Sequence, residues 1–167
     1  MRRIPLLLGA GVLAGCISQG TLGQEQRLVR SMSAWAGMCG GPCIQEVTFG
    51  DDGTLHLDGR DWDDTVYVDN AGTLTDAGLT RLEDVEADLS EVALEPVYGC
   101  PDCADGGGMT VTRRLDRGTA SSDYPWGQPP EELEDLDALF FEILEALRSC
   151  TANAFVEIEP ACAPFDG

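Results

Sequence analysis

The chain contains no lysine. All ten of its basic residues are arginine, set against thirty acids, for a formal charge of −20 over 167 residues. So acidic a chain repels the phosphates of nucleic acid, which sets DNA and RNA aside as partners. His56 is its one histidine. It stands mid-strand by pattern, and nothing in the sequence assigns it a partner or a catalytic role. There is no Gly-x-Gly-x-x-Gly and no P-loop, and Gly106-Gly107-Gly108 reads as a flexible turn. A dinucleotide or triphosphate cradle is therefore not signalled. No nucleophile-elbow pattern accompanies the serines, so no catalytic residue is assigned. The sequence calls for no cofactor. The N-terminal apolar run, Ile4 to Val12, falls short of the ~20 residues a membrane-spanning helix needs.

That short run follows Arg2 and Arg3 and precedes Leu13-Ala14-Gly15-Cys16. A positive end, an apolar stretch and small residues describe an export signal over residues 1–15. The tetrapeptide resembles a bacterial lipobox. The resemblance implies cleavage before Cys16, lipidation of Cys16, and attachment to a membrane through that lipid at the bacterial cell envelope. Several acyl chains hold firmly where one holds weakly, since each buried methylene contributes about 0.8 kcal/mol. Ile17 in place of an aspartate favours the outer membrane. Loss of residues 1–15 removes two arginines and no acid, taking the formal charge to −22. A basic protein partner is the kind such a surface attracts.

Residues 16–27 are polar and glycine-containing, a tether. Residues 28–167 are long enough for one domain with its own core. Gln45–Phe49 and Thr54–Asp58 flank Gly50-Asp51-Asp52-Gly53, a strong hairpin signal. Thr110–Leu115 and Ala120–Tyr124 flank Arg117-Gly118, a second hairpin. Leu28–Trp35, Thr65–Val68 and Ala154–Ile158 are weaker strand patterns. Thr75 or Asp76 caps a helix whose stripe is Leu79, Leu82, Val85 and Leu89. Pro129-Pro130 opens a stronger helix with Leu133, Leu136, Leu139, Phe140, Ile143, Leu144 and Leu147 on its core face. The expected fold class is α+β: an antiparallel sheet of about four to five strands built from two hairpins, with two helices packed on one face.

The run Cys39-Gly40-Gly41-Pro42-Cys43, then Asp52-Gly53-Thr54-Leu55, then Asp58-Gly59-Arg60 resembles the DUF6438 type of bacterial exported domain. Tyr98 and the helix over 129–148 follow in that family's order. Pro42 precedes the second cysteine here, where the family has it following. The resemblance implies a location and a hairpin-plus-helix fold, and brings no activity.

With Cys16 carrying lipid, six cysteines remain. In an exported chain an even number is most simply read as disulfides, here Cys39–Cys43, Cys100–Cys103 and Cys150–Cys162 by locality. The rival pairing crosses Cys39 and Cys43 to Cys100 and Cys103. Four thiolates from those two pairs would also suit zinc, but an oxidising setting argues against a metal. Cys100-Pro101-Asp102-Cys103 has the spacing of a thiol–disulfide oxidoreductase, an alternative function, yet the glycines after it cannot sustain the helix such sites use. The acidic loops Asp51-Asp52 and Asp61 to Asp64 suggest a calcium-dependent binding module as a further alternative, without the EF-hand spacing. Trp35, Trp62, Tyr124 and Trp126 read as cover for the open face of the sheet or as a recognition patch. The leading expectation is a non-enzymatic binding or structural module.

Overall fold

The computed structural model describes residues 26–37, 39–101, 103 and 106–165. Cys16, the proposed signal and most of the tether lie outside the described residues. The chain folds as one open antiparallel sheet with two helices. Its strands are β1 (Val29–Trp35), β2 (Ile44–Phe49), β3 (Thr54–Arg60), β4 (Val66–Leu74), β5 (Gly108–Arg114), β6 (Thr119–Pro125) and β7 (Val156–Ile158). The order across the sheet is β6-β5-β1-β2-β3-β4-β7. The α+β class and the hairpins β2–β3 and β5–β6 agree with the sequence pattern. The count of seven strands corrects the expected four to five.

The extra strands are those whose alternation is broken for a local reason. In β1 the register shifts between Val29 and Ser31, so its two halves do not share one period. It nevertheless lies at the centre, joining the two hairpins through β5 and β2. In β4 the inward positions between Val68 and Leu74 are Asn70 and Gly72, which hide the hydrophobic rhythm. Gly72 is required there: a Cβ would come within 2.6 Å of the Glu157 carbonyl oxygen on β7. The three residues of β7 are too few to show a period.

The first helix, α1 (Asp76–Ser90), is capped by Thr75, whose side chain accepts from the Gly78 amide at 3.1 Å. The second, α2 (Glu134–Ser149), follows a 3-10 turn over Glu131–Leu133 and carries three acids in its first turn. Leu82, Val85, Leu89, Leu136, Phe140, Ile143 and Leu147 join Met32, Val47, Leu57, Met109 and Val111 in one buried cluster. Each large side chain buried there contributes about 1.5–3 kcal/mol before entropy. The helices thus cover one face of the sheet, and among the described residues no helix covers the other.

Two irregular segments complete the fold. Before β5, Asp123 donates its backbone N–H to Pro96 and accepts from Tyr98, so Val97 runs parallel along β6. After β7, the tail turns under β4. Asn70 donates to the carbonyls of Leu147 (2.8 Å) and Ala163 (3.0 Å) and accepts from the Ala163 amide (3.0 Å).

Candidate functional site

Strand register decides what the open face displays. Cross-strand partners run Asp123–Thr110, Thr110–Ser33, Ser33–Glu46, Glu46–Asp58 and Asp58–Asp69. One row across six strands therefore carries four carboxylates. The next row carries Ser121, Thr112, Ser31, Thr48 and His56. On the other side of the acidic row come Trp35 and Ile44.

Trp35 is closely packed by its surroundings. A Cβ at Gly108 would come within 2.7 Å of Trp35 Cζ2, and one at Gly107 within 2.2 Å of the Trp35 carbonyl oxygen. Of the Gly106-Gly107-Gly108 run, Gly107 and Gly108 are buried packing positions, whereas Gly106 is exposed. Trp35 Nε1 donates to Thr110 Oγ1 (3.2 Å), and Thr110 Oγ1 donates to Asp123 Oδ1 (2.7 Å). Trp62 arrives from the β3–β4 loop and donates Nε1 to the Ala36 carbonyl (3.2 Å), leaving it 54% exposed. Asp61 shapes that loop by accepting from the amides of Asp63 and Thr65, each at 2.9 Å. Foremost the Thr65 amide, against partial burial, holds the Asp61 carboxyl below the usual range. Trp35, Ile44, Trp62, Ser33, Thr110 and Asp123 line a shallow hollow of about 460 Å³.

The four aromatics thus part company. Trp35 and Trp62 belong to the open face. Trp126, though 43% exposed, packs on Phe141 with ring centroids 5.8 Å apart, and Tyr124 is fully buried on the helix side. His56 does have a partner: its Nε2 lies 2.7 Å from Asp69 Oδ1. Arg60 Nε stands 3.7 Å from Asp58 Oδ1, too far for a hydrogen bond, and among the described residues that buried oxygen accepts none.

A larger hollow of about 970 Å³ lies at the opposite end of β1, beside Arg113, Arg114 and Arg117. Most of the cations there are committed. Arg113 is buried and donates to the carbonyls of Leu89 (3.1 Å) and Val92 (3.2 Å), stabilising the end of α1, whose last turn has no base. Burial draws its pKa below the ordinary guanidinium value. Arg27 faces Glu83 and Glu86 at 3.4 Å, while Arg30 and Arg114 meet Asp51 at 2.9 and 3.4 Å. Of the three arginines lining the hollow, Arg113 and Arg114 are thus committed.

The six described cysteines lie in three pairs at disulfide distance: Cys39 with Cys43, Cys100 with Cys103, and Cys150 with Cys162, at Cα separations of 5.5, 5.3 and 5.7 Å. Cys100 and Cys103 are exposed, and Cys43 is buried. The acidic loops considered for calcium spend oxygens internally. Asp51 Oδ1 accepts from the Arg27 amide and Asp52 Oδ1 from Thr54. Among the described residues no helix is long and apolar enough to cross a membrane. Sequence patterning shows the alternation of these strands but not which residues stand side by side, so the acidic row emerges only with the register. Compared with known proteins, the chain matches no family model, and no curated protein matches it significantly, so this site is read from its own geometry.

Proposed function

We propose that the chain is a lipid-anchored domain of the bacterial envelope, of the DUF6438 type, that works by binding through the open face of its sheet. The observation that carries the binding reading is the Trp35–Trp62 hollow. Two large aromatic side chains are held on a face that no helix among the described residues covers, and aromatics concentrate at binding hot spots. The chain enters β1 from its tether at the end near Arg27, and the hollow lies at the other end of that seven-residue strand, roughly 20 Å away. The test is a photo-crosslinking amino acid placed at Ser33 on the open face or at Glu142 on exposed α2, in the producing cell. Adducts at position 33 and none at 142 support the reading. Equal adducts, or none at 33, overturn it.

Thiol–disulfide exchange at Cys100–Cys103 is a second reading, favoured by the exposure of that pair and by Pro101 between the two cysteines at the rim of the hollow. A partner dithiol would be oxidised to a disulfide while Cys100–Cys103 is reduced to two thiols, through a mixed disulfide. Trapping a mixed disulfide with Cys103→Ser would establish it. A reduction potential below about −300 mV, typical of structural disulfides, would remove it.

A further inference from the structure

Resting on the reading of the open face as a binding surface, we propose that its occupant is a basic segment of a partner protein, with an arginine or lysine side chain seated against Trp35 and Trp62. Both indole N–H groups are already donated, to Thr110 Oγ1 and to the Ala36 carbonyl, each at 3.2 Å. The rings are left with π faces and edges to offer, and a cation over such a face is attracted by its quadrupole. Asp123 lines the same hollow and uses Oδ1 for Thr110. Asp63 and Asp64 follow Trp62 directly and are exposed. Carboxylates only accept, guanidinium and ammonium only donate, so this hollow complements a cation.

The row beyond it says why the ligand is a segment and not a single small ion. Asp123, Glu46, Asp58 and Asp69 stand across six adjacent strands. At the ordinary strand spacing the row is about 24 Å long. Facing those four carboxylates are one guanidinium, Arg60, and one imidazole, His56. The Glu46 carboxylate, in the middle, has no hydrogen bond or ion pair among the described residues. Like charges directly opposite one another destabilise a sheet. A partner carrying basic residues at alternate positions would relieve that repulsion between Glu46, Asp58 and Asp69.

The test is a titration of the full-length protein, in detergent, with three synthetic twelve-residue peptides: alternating arginine–threonine, glutamine–threonine and glutamate–threonine. Tryptophan fluorescence and calorimetry read the binding. The arginine peptide is expected to bind at least tenfold more tightly than the other two. Trp62→Ala should weaken it at least tenfold and Glu46→Gln about threefold. Glu142→Gln on α2 should leave it unchanged. Absence of binding, or equal loss with Glu46→Gln and Glu142→Gln, overturns the proposal, since the second would mean attraction to net charge alone. Preference for the glutamine peptide, lost in Trp62→Ala, overturns the cationic occupant while leaving the open face as a binding surface. Loss of that surface itself is reported separately by the crosslinks at Ser33.

Discussion

The Tyr124 hydroxyl donates to Asp137 Oδ1 at 2.6 Å, joining β6 to the first turn of α2 in the interior. Burial raises the Asp137 carboxyl above its ordinary 3.8, partly opposed by the tyrosine's hydrogen bond. Burial, then that bond, raises the Tyr124 hydroxyl too. Tyr124→Phe should cost about 1–3 kcal/mol, because Asp137 is left buried with one acceptor unmet.

The sign of the pH dependence follows from the raised value. Below pH 3.8 the carboxyl is protonated in folded and unfolded chains alike. Above it the unfolded chain ionises first, so the stability from this group is lost as pH rises toward the folded pKa. Asp137→Asn can still accept from Tyr124 and removes that loss. Urea midpoints should therefore move in favour of the variant between pH 4 and pH 7. A difference that does not change with pH would mean Asp137 is not held in this way. Asp51 and Asp52 act in the opposite sense: their lowered values make stability fall as pH drops below 3.8.

Asn70 holds the tail by two hydrogen bonds to Ala163 and ties it to α2 through a third to the Leu147 carbonyl, and Cys150–Cys162 holds the same tail. Asn70→Ala should destabilise by about 2–4 kcal/mol, through unpaired groups on Leu147 and Ala163. Replacing both cysteines with serine should cost about 3 kcal/mol on the loop-closure account. Because both changes free one segment, the triple variant should lose less than the sum, measured as a double-mutant cycle in urea.

Gly108→Ala should push Trp35 off the sheet, since the new methyl would meet Trp35 Cζ2 at 2.7 Å and the Tyr124 carbonyl oxygen at 2.9 Å. A cost of about 1–3 kcal/mol and a shifted tryptophan emission are expected. Gly118→Ala, with φ +85° and nothing within 4 Å, changes only backbone strain. It should cost about 1–2 kcal/mol and leave the emission unaltered.

Cys16→Ser should release the protein from the membrane fraction or leave it unprocessed, whereas the unaltered chain partitions into detergent. Equal partitioning of both would end the lipid-anchor proposal.

The sequence discloses the elements that follow one rule cleanly. β2 and β3 alternate on either side of an Asp-Gly turn, where Gly53 adopts φ +86°. α2 shows its stripe because every core-facing position is filled by a large apolar residue or alanine except Asp137. β1 and β4 resist reading because a bulge, an inward Asn70 and Gly72 serve tertiary contacts with β5, the tail and β7. The site divides in the same way. Trp35 and Trp62 stand out by residue type. That Trp62 crosses to Ala36, and that Glu46 faces Asp58, depends on long-range register that composition does not encode.

The borders of the sheet bear on self-association. A long, bare outer strand invites a second chain to pair with it and seed aggregates. Here β6 is shielded midway by Pro96 to Tyr98, and β7 offers only three residues. The stretch of β4 beyond β7 carries a register shift opposite Gly59 and Arg60 and the charge of Asp69. Such interruptions spoil the template for another copy. An open face thus coexists with interrupted edges, which disfavour strand pairing between copies.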